Sequence, residues 1–262
     1  MFNLLKRFFL FILILTFNSF LVGDQNNRGL EILKKTDENM SGYGDSQSRL
    51  VMQLINAKGE ITERSMRSRL LEVEDDGDKS LFVFESPRAI KGTALLSYAH
   101  KVEPDDQWLY IPAIKRVKRI ISKNKSGPFL GSEFSVEDLS FQEIEKFSYK
   151  YLRDEQYNNQ NCFVIERTPL DPYSGYTKQL VWVDKSNYLI QKIELFDRKA
   201  FHLKSQFFRG YKRYLNSFWR PGEIEMINHQ NGKSTILRIE EQSFQNGLTD
   251  NDFTQNSLKR SK

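Results

Sequence analysis

The chain has 262 residues, of which 39% are hydrophobic and 13% are aromatic, and its formal net charge is +5. A chain of this length has room for one large β-domain or two small domains. The small charge excess argues against a dedicated nucleic-acid binder, whose basic surface is usually evident from composition alone. The single cysteine, Cys162, excludes a disulfide within the chain, so the hydrophobic core must supply the stability.

The N-terminus has the layout of a secretory signal peptide. Lys6 and Arg7 precede an apolar run over residues 8–17, and small and polar residues follow up to Gly23. The apolar run is shorter than the roughly 20 residues that span a bilayer, although the next apolar residues could extend it into an uncleaved anchor. We expect cleavage near Gly23, so that residues 24–262 form a single domain in the periplasm.

A helix is predicted directly after the signal peptide. Leu30 and Leu33 recur at helical spacing, with weaker support from Ile32 and Met40. The pattern predicts an amphipathic helix over residues 26–40, and the serine and glycine that follow mark its end.

Most of the remaining chain alternates apolar and polar residues, which is typical of strands with one apolar face. Turn-forming clusters separate the alternating runs, and no helical pattern between them is long enough for a parallel crossover. Antiparallel hairpins are therefore the simplest topology. We predict one sheet of about ten or eleven strands that curls into a barrel or half-barrel. The clearest runs outside the hairpin considered below are residues 50–55, 147–151, 163–167, 179–183, 189–195, 207–213, 223–227 and 234–239.

The concave face of such a sheet needs a cover, which residues 126–142, SGPFLGSEFSVEDLSFQ, are suited to provide. Ser132 and Ser135 are good helix N-caps, and the acidic residues after them favour a helix start. We predict that this segment is a short helical lid; a plug that never moves is the alternative. The apolar residues that would contact the sheet are Phe129, Leu130, Phe134, Val136 and Leu139.

The stretch DQWLYIPAIKRVKRI, residues 106–120, places aromatic residues directly before four cations. Pro112 ends the first strand and the following residues return antiparallel to it, which predicts a hairpin. Cations beside apolar residues are typical of the rim of an apolar cavity, where long side chains keep their charge in water. Arg116, Lys118 and Arg119 are therefore candidates for contact with phosphate or lipid head groups. A solvated strand face with arginine–aromatic contacts is the alternative.

No catalytic or metal-binding pattern stands out. The three histidines, His100, His202 and His229, form no zinc-protease motif and no short metal-ligand spacing. No serine has the G-x-S-x-G surroundings of an exported hydrolase. A carboxylate pair assembled from distant strands, as in glycosidases, would be invisible at this level. We predict a protein that is not an enzyme and uses no metal or cofactor.

Three stretches resemble a known family: IKGTALLSY at 90–98, DDQWLYIPAIKRVKRI at 105–120 and SGPFLGSEFSVEDL at 126–139. In this order and at this spacing they resemble the outer-membrane lipoprotein-sorting domain proteins, bacterial relatives of the carrier LolA and the receptor LolB. The resemblance is specific over residues 90–139, and the hairpin pattern extends it over residues 26–253. It implies an unclosed antiparallel β-barrel with a helical lid over a hydrophobic cavity that holds acyl chains.

The resemblance also implies a function. We expect a periplasmic, monomeric carrier that shelters the acyl chains of a lipid or lipoprotein and passes them toward the outer membrane. The alternative is an adaptor that presents lipid to a membrane transporter. An inner-membrane transporter and an outer-membrane acceptor would be the partners, and nucleic acid would not be one. The expected cavity and lid residues are Phe82, Phe84, Tyr98, Trp108, Tyr110, Phe129, Phe134 and Leu139.

Two points remain open from sequence. In LolA an arginine couples the lid to the barrel, and Arg116 or Arg119 could have that role here. A structural barrel without a ligand would instead fill its interior with its own aromatic side chains, namely Phe82, Phe84, Tyr98, Trp108 and Phe134.

Overall fold

The computed structural model describes residues 23–260, so the predicted signal peptide lies, apart from Gly23, outside the described residues. Residues 23–40 form helix α1, which confirms the helix predicted over residues 26–40. A second, short helix, α2, spans Gln255–Arg260. Neither of these helices has the length and apolar character needed to cross a membrane.

Fifteen strands lie between the two helices within the described part of the chain. They are β1 Asp45–Ile55, β2 Ile61–Leu71, β3 Lys79–Ser86, β4 Ala94–Tyr98, β5 Asp106–Ile111, β6 Arg116–Ile120, β7 Phe147–Tyr157, β8 Gln160–Pro169, β9 Lys178–Asp184, β10 Ile190–Phe196, β11 His202–Arg209, β12 Lys212–Tyr214, β13 Phe218–Arg220, β14 Glu223–Asn228 and β15 Ser234–Phe244.

Thirteen of these strands form one antiparallel sheet in the order β6-β5-β4-β3-β2-β1-β15-β14-β11-β10-β9-β8-β7. The edge strands β6 and β7 do not pair with each other, so the barrel is unclosed, as predicted. β12 and β13 pair only with each other, in a separate hairpin. The sheet has more strands than the ten or eleven expected because strands such as β2, with four charged residues among its eleven, show little apolar alternation.

Near the middle of the sheet, the first strand in sequence is the neighbour of the last. β1 pairs with β15, so that Met52 lies opposite Leu237. β1 also pairs with β2, and the remaining neighbours follow mostly as consecutive hairpins. The predicted hairpin at residues 106–120 is confirmed, because β5 pairs with β6 and Ile111 lies opposite Arg116.

Side chains on the two faces of the sheet form three separate cores among the described residues, of which the smallest consists of Cys162, Val164 and Trp182. The concave face carries the largest core, in which Phe84, Leu95 and Ile193 are packed together with Ile32 and Leu33 of α1. The convex face carries a smaller core of β3, β4 and β5 side chains, covered by Phe253 and by Leu258 of α2. The sheet is thus covered on its concave side by α1 and on part of its convex side by the C-terminal segment.

Helix α1 lies close to the β7 edge of the sheet. A Cβ atom on Gly29 would come within 2.8 Å of the backbone nitrogen of Tyr151, so a larger residue would push the helix away. The Arg28 guanidinium carbon lies 3.8 Å from the centre of the Tyr151 ring. At the other end, the Asn39 side-chain amide donates to the carbonyl of Asn187 at 2.8 Å. These contacts fix α1 as one wall of the interior.

Candidate functional site

The chain crosses the concave side of the sheet between β6 and β7, in residues 121–146, which we call the cover segment. Its helical content is limited to short 3₁₀ turns, one of which spans Glu137–Leu139. Val136 occupies the N-cap position of this turn and makes no capping hydrogen bond, while Ser135 before it is linked to Asp138: its hydroxyl accepts from the Asp138 N–H at 3.1 Å and its N–H donates to Asp138 Oδ2 at 2.7 Å. Ser132 is not a cap; its hydroxyl donates to the Phe129 carbonyl at 2.8 Å.

Buried polar contacts hold the middle of the cover segment against the centre of the sheet. The N–H of Glu133 donates to the Thr235 hydroxyl at 2.9 Å, and its carboxylate accepts from the Asn228 amide at 2.7 Å. Asp138 accepts from the Tyr176 hydroxyl at 2.8 Å and lies 3.4 Å from the Lys204 Nζ. A buried polar group of this kind is costly to leave without its partner, so these contacts fix the position of the segment.

An arginine of the sheet also contacts the cover segment. Arg64 of β2 donates from Nη1 to the Leu130 carbonyl at 2.7 Å, and its partial burial lowers its pKa. The sequence-based candidates for this coupling, Arg116 and Arg119, are exposed on β6, and Arg119 is paired with Asp106 instead. The structure therefore corrects that expectation. Arg64 was missed because it is one of several arginines in β2 and nothing in the sequence distinguishes it.

Beside the cover segment lies a cavity of about 700 Å³. This volume is within the roughly 300–1,000 Å³ of typical small-molecule sites. Its walls come from α1, from strands β8–β11, β13 and β14, from the loop between β2 and β3, and from residues 138 and 140–144 of the cover segment. Apolar side chains form much of the wall: Leu33, Ile144, Ile190, Ile193, Leu195, Phe208 and Ile224.

Carboxyl groups form a second part of the same cavity. Asp78 and Glu143 adjoin each other, since the N–H of Asp78 donates to Glu143 Oε1 at 3.3 Å. Burial raises the pKa of Asp78 to about 6 and that of Glu143 to about 7. Burial also raises the pKa of Asp37 on α1, with a further contribution from Glu145. These groups are held in an environment that disfavours their charge.

Two arginines also line the cavity, Arg167 of β8 and Arg220 of β13. The guanidinium carbon of Arg220 lies 4.1 Å from the centre of the Tyr43 ring. Its Nε and Nη2 atoms are buried and find no hydrogen-bond acceptor among the described residues. The cavity therefore combines an apolar wall with carboxyl groups and incompletely paired cations.

Five of the eight predicted cavity and lid residues lie on the concave side. Phe84, Phe129 and Phe134 are buried in the concave core, and Phe82 and Leu139 pack against it. The rings of Phe84 and Phe129 are 6.0 Å apart. These residues join the cover segment to the sheet, but the cavity wall does not include them. This part of the interior is therefore packed with the protein's own side chains. A structural barrel without a ligand, the alternative considered from the sequence, would be packed in this way throughout.

The other three predicted residues lie on the convex face, which corrects their placement. Trp108 and Tyr110 belong to the core covered by the C-terminal segment, and the Tyr98 ring lies 5.1 Å from that of Trp108. The Tyr98 hydroxyl donates to the carbonyl of Phe253. The sequence could not settle the direction of these side chains because the alternate residue Leu109 is apolar as well and faces the concave core.

Comparison with solved structures places the chain in a family. A proposed outer membrane lipoprotein-sorting protein domain from Vibrio parahaemolyticus is 51% identical, with a TM-score of 0.88, over 90% of this chain and 100% of that one. The chain belongs to the outer membrane lipoprotein-sorting domain family. The resemblance found in residues 90–139 is thereby confirmed.

Other comparisons agree with the fold of this lipoprotein-sorting domain. A DUF1329 family protein from Desulfovibrio piger is 26% identical, with a TM-score of 0.83, over 89% of this chain and 99% of that one. A LolA superfamily protein from Nitrosomonas europaea is 22% identical, with a TM-score of 0.69, over 87% and 97%. A family model described as "uncharacterized protein" matches residues 76–260. No curated protein matches the chain.

The predicted head-group contacts of the lipoprotein-sorting domain lie away from the cavity. Arg116, Lys118 and Arg119 are exposed along β6, which forms one edge of the sheet. Arg116 and Lys118 form no salt bridge with any residue between 23 and 260, whereas Arg119 pairs with Asp106. The hairpin thus presents cations to solvent beside a free strand edge.

Two histidines of the lipoprotein-sorting domain meet although they are far apart in sequence. The rings of His202 and His229 lie 4.3 Å apart, and the Ser205 hydroxyl is 3.1 Å from His202 Nε2 and 2.9 Å from His229 Nε2. Burial lowers the pKa of His229. Ser205 itself is buried, and the described residues contain no group of three side chains suited to hold a metal ion.

Proposed function

We propose that this protein is a periplasmic carrier that shelters the acyl chains of a lipid or lipoprotein in its concave cavity and passes them toward the outer membrane. The observation that carries the proposal is the cavity of about 700 Å³ with an apolar wall on the concave side of an unclosed barrel. Membership of the lipoprotein-sorting family supports both the ligand class and the location. We infer a role in binding and not in catalysis.

The energetics are sufficient for a carrier. Burial of one CH₂ group contributes about 0.8 kcal/mol, so ten buried methylenes contribute about 8 kcal/mol. Part of this free energy is offset by the translational and conformational freedom that the ligand loses on binding. The polar contacts of the head group then determine the final affinity. A carrier must also release its cargo. Residues 138 and 140–144 of the cover segment belong to the cavity wall, so displacement of this segment would change both the size of the cavity and its affinity.

Lipid extraction tests the proposal directly. Protein purified gently from periplasm should contain acyl lipid that mass spectrometry detects, and the emptied protein should bind a fluorescent fatty acid. The Gln206→Trp variant should lose this binding, because Gln206 lines the cavity and its side chain forms no hydrogen bond with another described residue. Thr62→Trp, at an exposed position of β2, is the matched control. Absence of both endogenous lipid and fatty-acid binding would rule out the carrier.

A fixed adaptor for a membrane transporter is the second candidate, and the exposed cations of β6 favour it. Arg116 and Lys118 could contact lipid head groups or an acidic partner. In this case the protein should co-purify with a membrane complex, and the Arg116→Glu/Lys118→Glu variant should fold and hold lipid but no longer co-purify. Lys212→Glu, exposed on β12, is the control. Recovery of wild-type protein from the periplasm without a membrane partner would favour the carrier.

A further inference from the structure

Arg167 is a buried cation in the wall of the cavity. It lies on β8 opposite Gln179 of β9, and the residue is 7% exposed. Its Nε donates to Gln179 Oε1 at 2.6 Å, and its guanidinium carbon lies 4.7 Å from the centre of the Phe147 ring. Burial lowers the pKa of Arg167 to about 10, which leaves the guanidinium charged at neutral pH.

The guanidinium group of Arg167 has no direct anionic contact within the described residues, although the carboxylate of Asp138, itself paired with Lys204, raises the pKa of Arg167 from a greater distance. No salt bridge includes it, and its Nη1 and Nη2 atoms donate no hydrogen bond. These two nitrogens are not among the fully buried atoms that lack a hydrogen-bond partner, and Arg167 lines the cavity. They are therefore accessible from the cavity. A buried charge is costly unless it is paired. The planar fork of a guanidinium group matches a carboxylate or phosphate with two parallel hydrogen bonds.

Two side-chain amides can add donors in the same cavity. The Oε1 of Gln179 is used by Arg167, which leaves the Nε2 of Gln179 free to donate. Gln206 of β11 lines the same cavity and forms no side-chain hydrogen bond with another described residue. The cavity is otherwise walled by apolar residues such as Ile193 and Phe208. A few polar groups in an apolar wall are the usual way in which a pocket orients an amphiphilic ligand.

We propose that the cavity binds an anionic amphiphile with a single acyl chain, whose carboxylate or phosphate is held by Arg167 while the chain lies along the apolar wall. This rests on the proposed function and narrows its ligand class. The cavity of about 700 Å³ has room for one long acyl chain with its head group.

Four ligands with the same chain length test the head-group preference. Hexadecanoic acid carries a carboxylate, palmitoyl lysophosphatidylglycerol a phosphate, hexadecanol no charge and hexadecylamine a cation. Each is measured by displacement of a neutral fluorescent probe from the wild-type protein, below its micelle concentration. The acid or the lysophospholipid should bind at least about 10-fold more tightly than hexadecanol, because charge-assisted hydrogen bonds are the stronger ones. The tighter of these two identifies the anion as carboxylate or phosphate.

Variants then assign the preference to Arg167. Arg167→Met should bring the anionic ligands down to the affinity of hexadecanol and leave hexadecanol binding within about twofold of wild type, since only the charged contact is lost. Arg167→Lys should retain part of the preference, because the charge stays and the fork is lost. Arg213→Met, at an exposed position of β12, should change neither affinity. The melting temperature of Arg167→Met should be unchanged or higher, because no unpaired buried charge remains.

Equal affinity of wild-type protein for the acid and for hexadecanol would overturn the proposal. Tightest binding of hexadecylamine would also overturn it and would assign the head-group site to the carboxyl groups of Asp78 and Glu143. A fall in melting temperature of Arg167→Met with equal losses for acid and alcohol would identify Arg167 as structural. Failure of all four ligands to bind would refute the proposed carrier function itself, which is a different result from the loss of head-group preference.

Discussion

Replacement of Lys204 by methionine would test how firmly the cover segment is held. The side chains of Lys204 and Asp138 are only 8% and 5% exposed, with 3.4 Å between Nζ and Oδ2. Removing one partner of a buried ion pair typically costs about 3–5 kcal/mol, because the other charge stays buried without it. Asp138 would keep hydrogen bonds from Tyr176 and from the Ser135 N–H. We therefore expect a loss near the lower limit, about 3 kcal/mol.

Urea unfolding measures this loss as a lower midpoint at unchanged slope. The informative comparison is a double-mutant cycle with Asp138→Asn. Because the double variant leaves no buried charge in this pair, it should be at least about 1 kcal/mol more stable than the sum of the single losses predicts. Lys185→Met is the control, since Lys185 pairs with Asp154 at 2.5 Å on the surface and should cost less than about 1 kcal/mol.

If the losses of the two single variants add to within about 0.5 kcal/mol, Lys204 and Asp138 do not stabilise each other, and the reasoning is refuted.

The Lys204→Met variant also distinguishes a mobile lid from a fixed plug. If the cover segment moves during lipid uptake, Lys204→Met should take up a fluorescent fatty acid faster than wild type. If the segment is a fixed plug, the uptake rate should stay the same while the stability falls.

Three further predictions concern acidity, the convex core and the cysteine. Stability should fall as the pH rises from about 4 to about 7, because Asp78 and Glu143 hold their protons up to pKa values of about 6 and about 7 in the folded protein but titrate near 3.8 and 4.5 when unfolded. Glu143→Gln should flatten this dependence in thermal melts between pH 5 and pH 7.5; an unchanged slope would contradict it. Trp108→Asp should destabilise the protein by at least about 3 kcal/mol in urea unfolding, yet the folded fraction should retain fatty-acid binding, since Trp108 lies on the convex face. Cys162 is buried with a pKa raised to about 11, so a thiol reagent should label it only as the protein unfolds; rapid labelling of native protein would disprove this.

The sequence predicted those parts of the fold that depend on local patterns. Helix α1 and the β5–β6 hairpin were predictable because helical spacing and the proline at position 112 act within a few residues. The lid was predicted as more helical than it is, since Gly127 and Pro128 directly precede its first two apolar residues and Gly131 directly follows them.

The position of the cavity was not predictable in this way. Trp108 and Leu109 are adjacent and both apolar, so alternation alone cannot show which of them faces inward. The deciding contact is long-range: Tyr98 meets Phe253, 155 residues later. Arg167 likewise gives no signal in sequence, because its interest depends on the lack of a salt-bridge partner for it among the described residues of the folded protein.

The pairing of β1 with β15 restricts the order in which the protein can assemble. Met52 and Leu237 are 185 positions apart, so this hydrogen-bonded ladder closes one of the longest loops that the chain allows. Contacts of such separation form slowly, and until they form β1 has an open edge that invites aggregation. The two halves of the sheet therefore cannot join until the final strand, β15, is in place between β1 and β14.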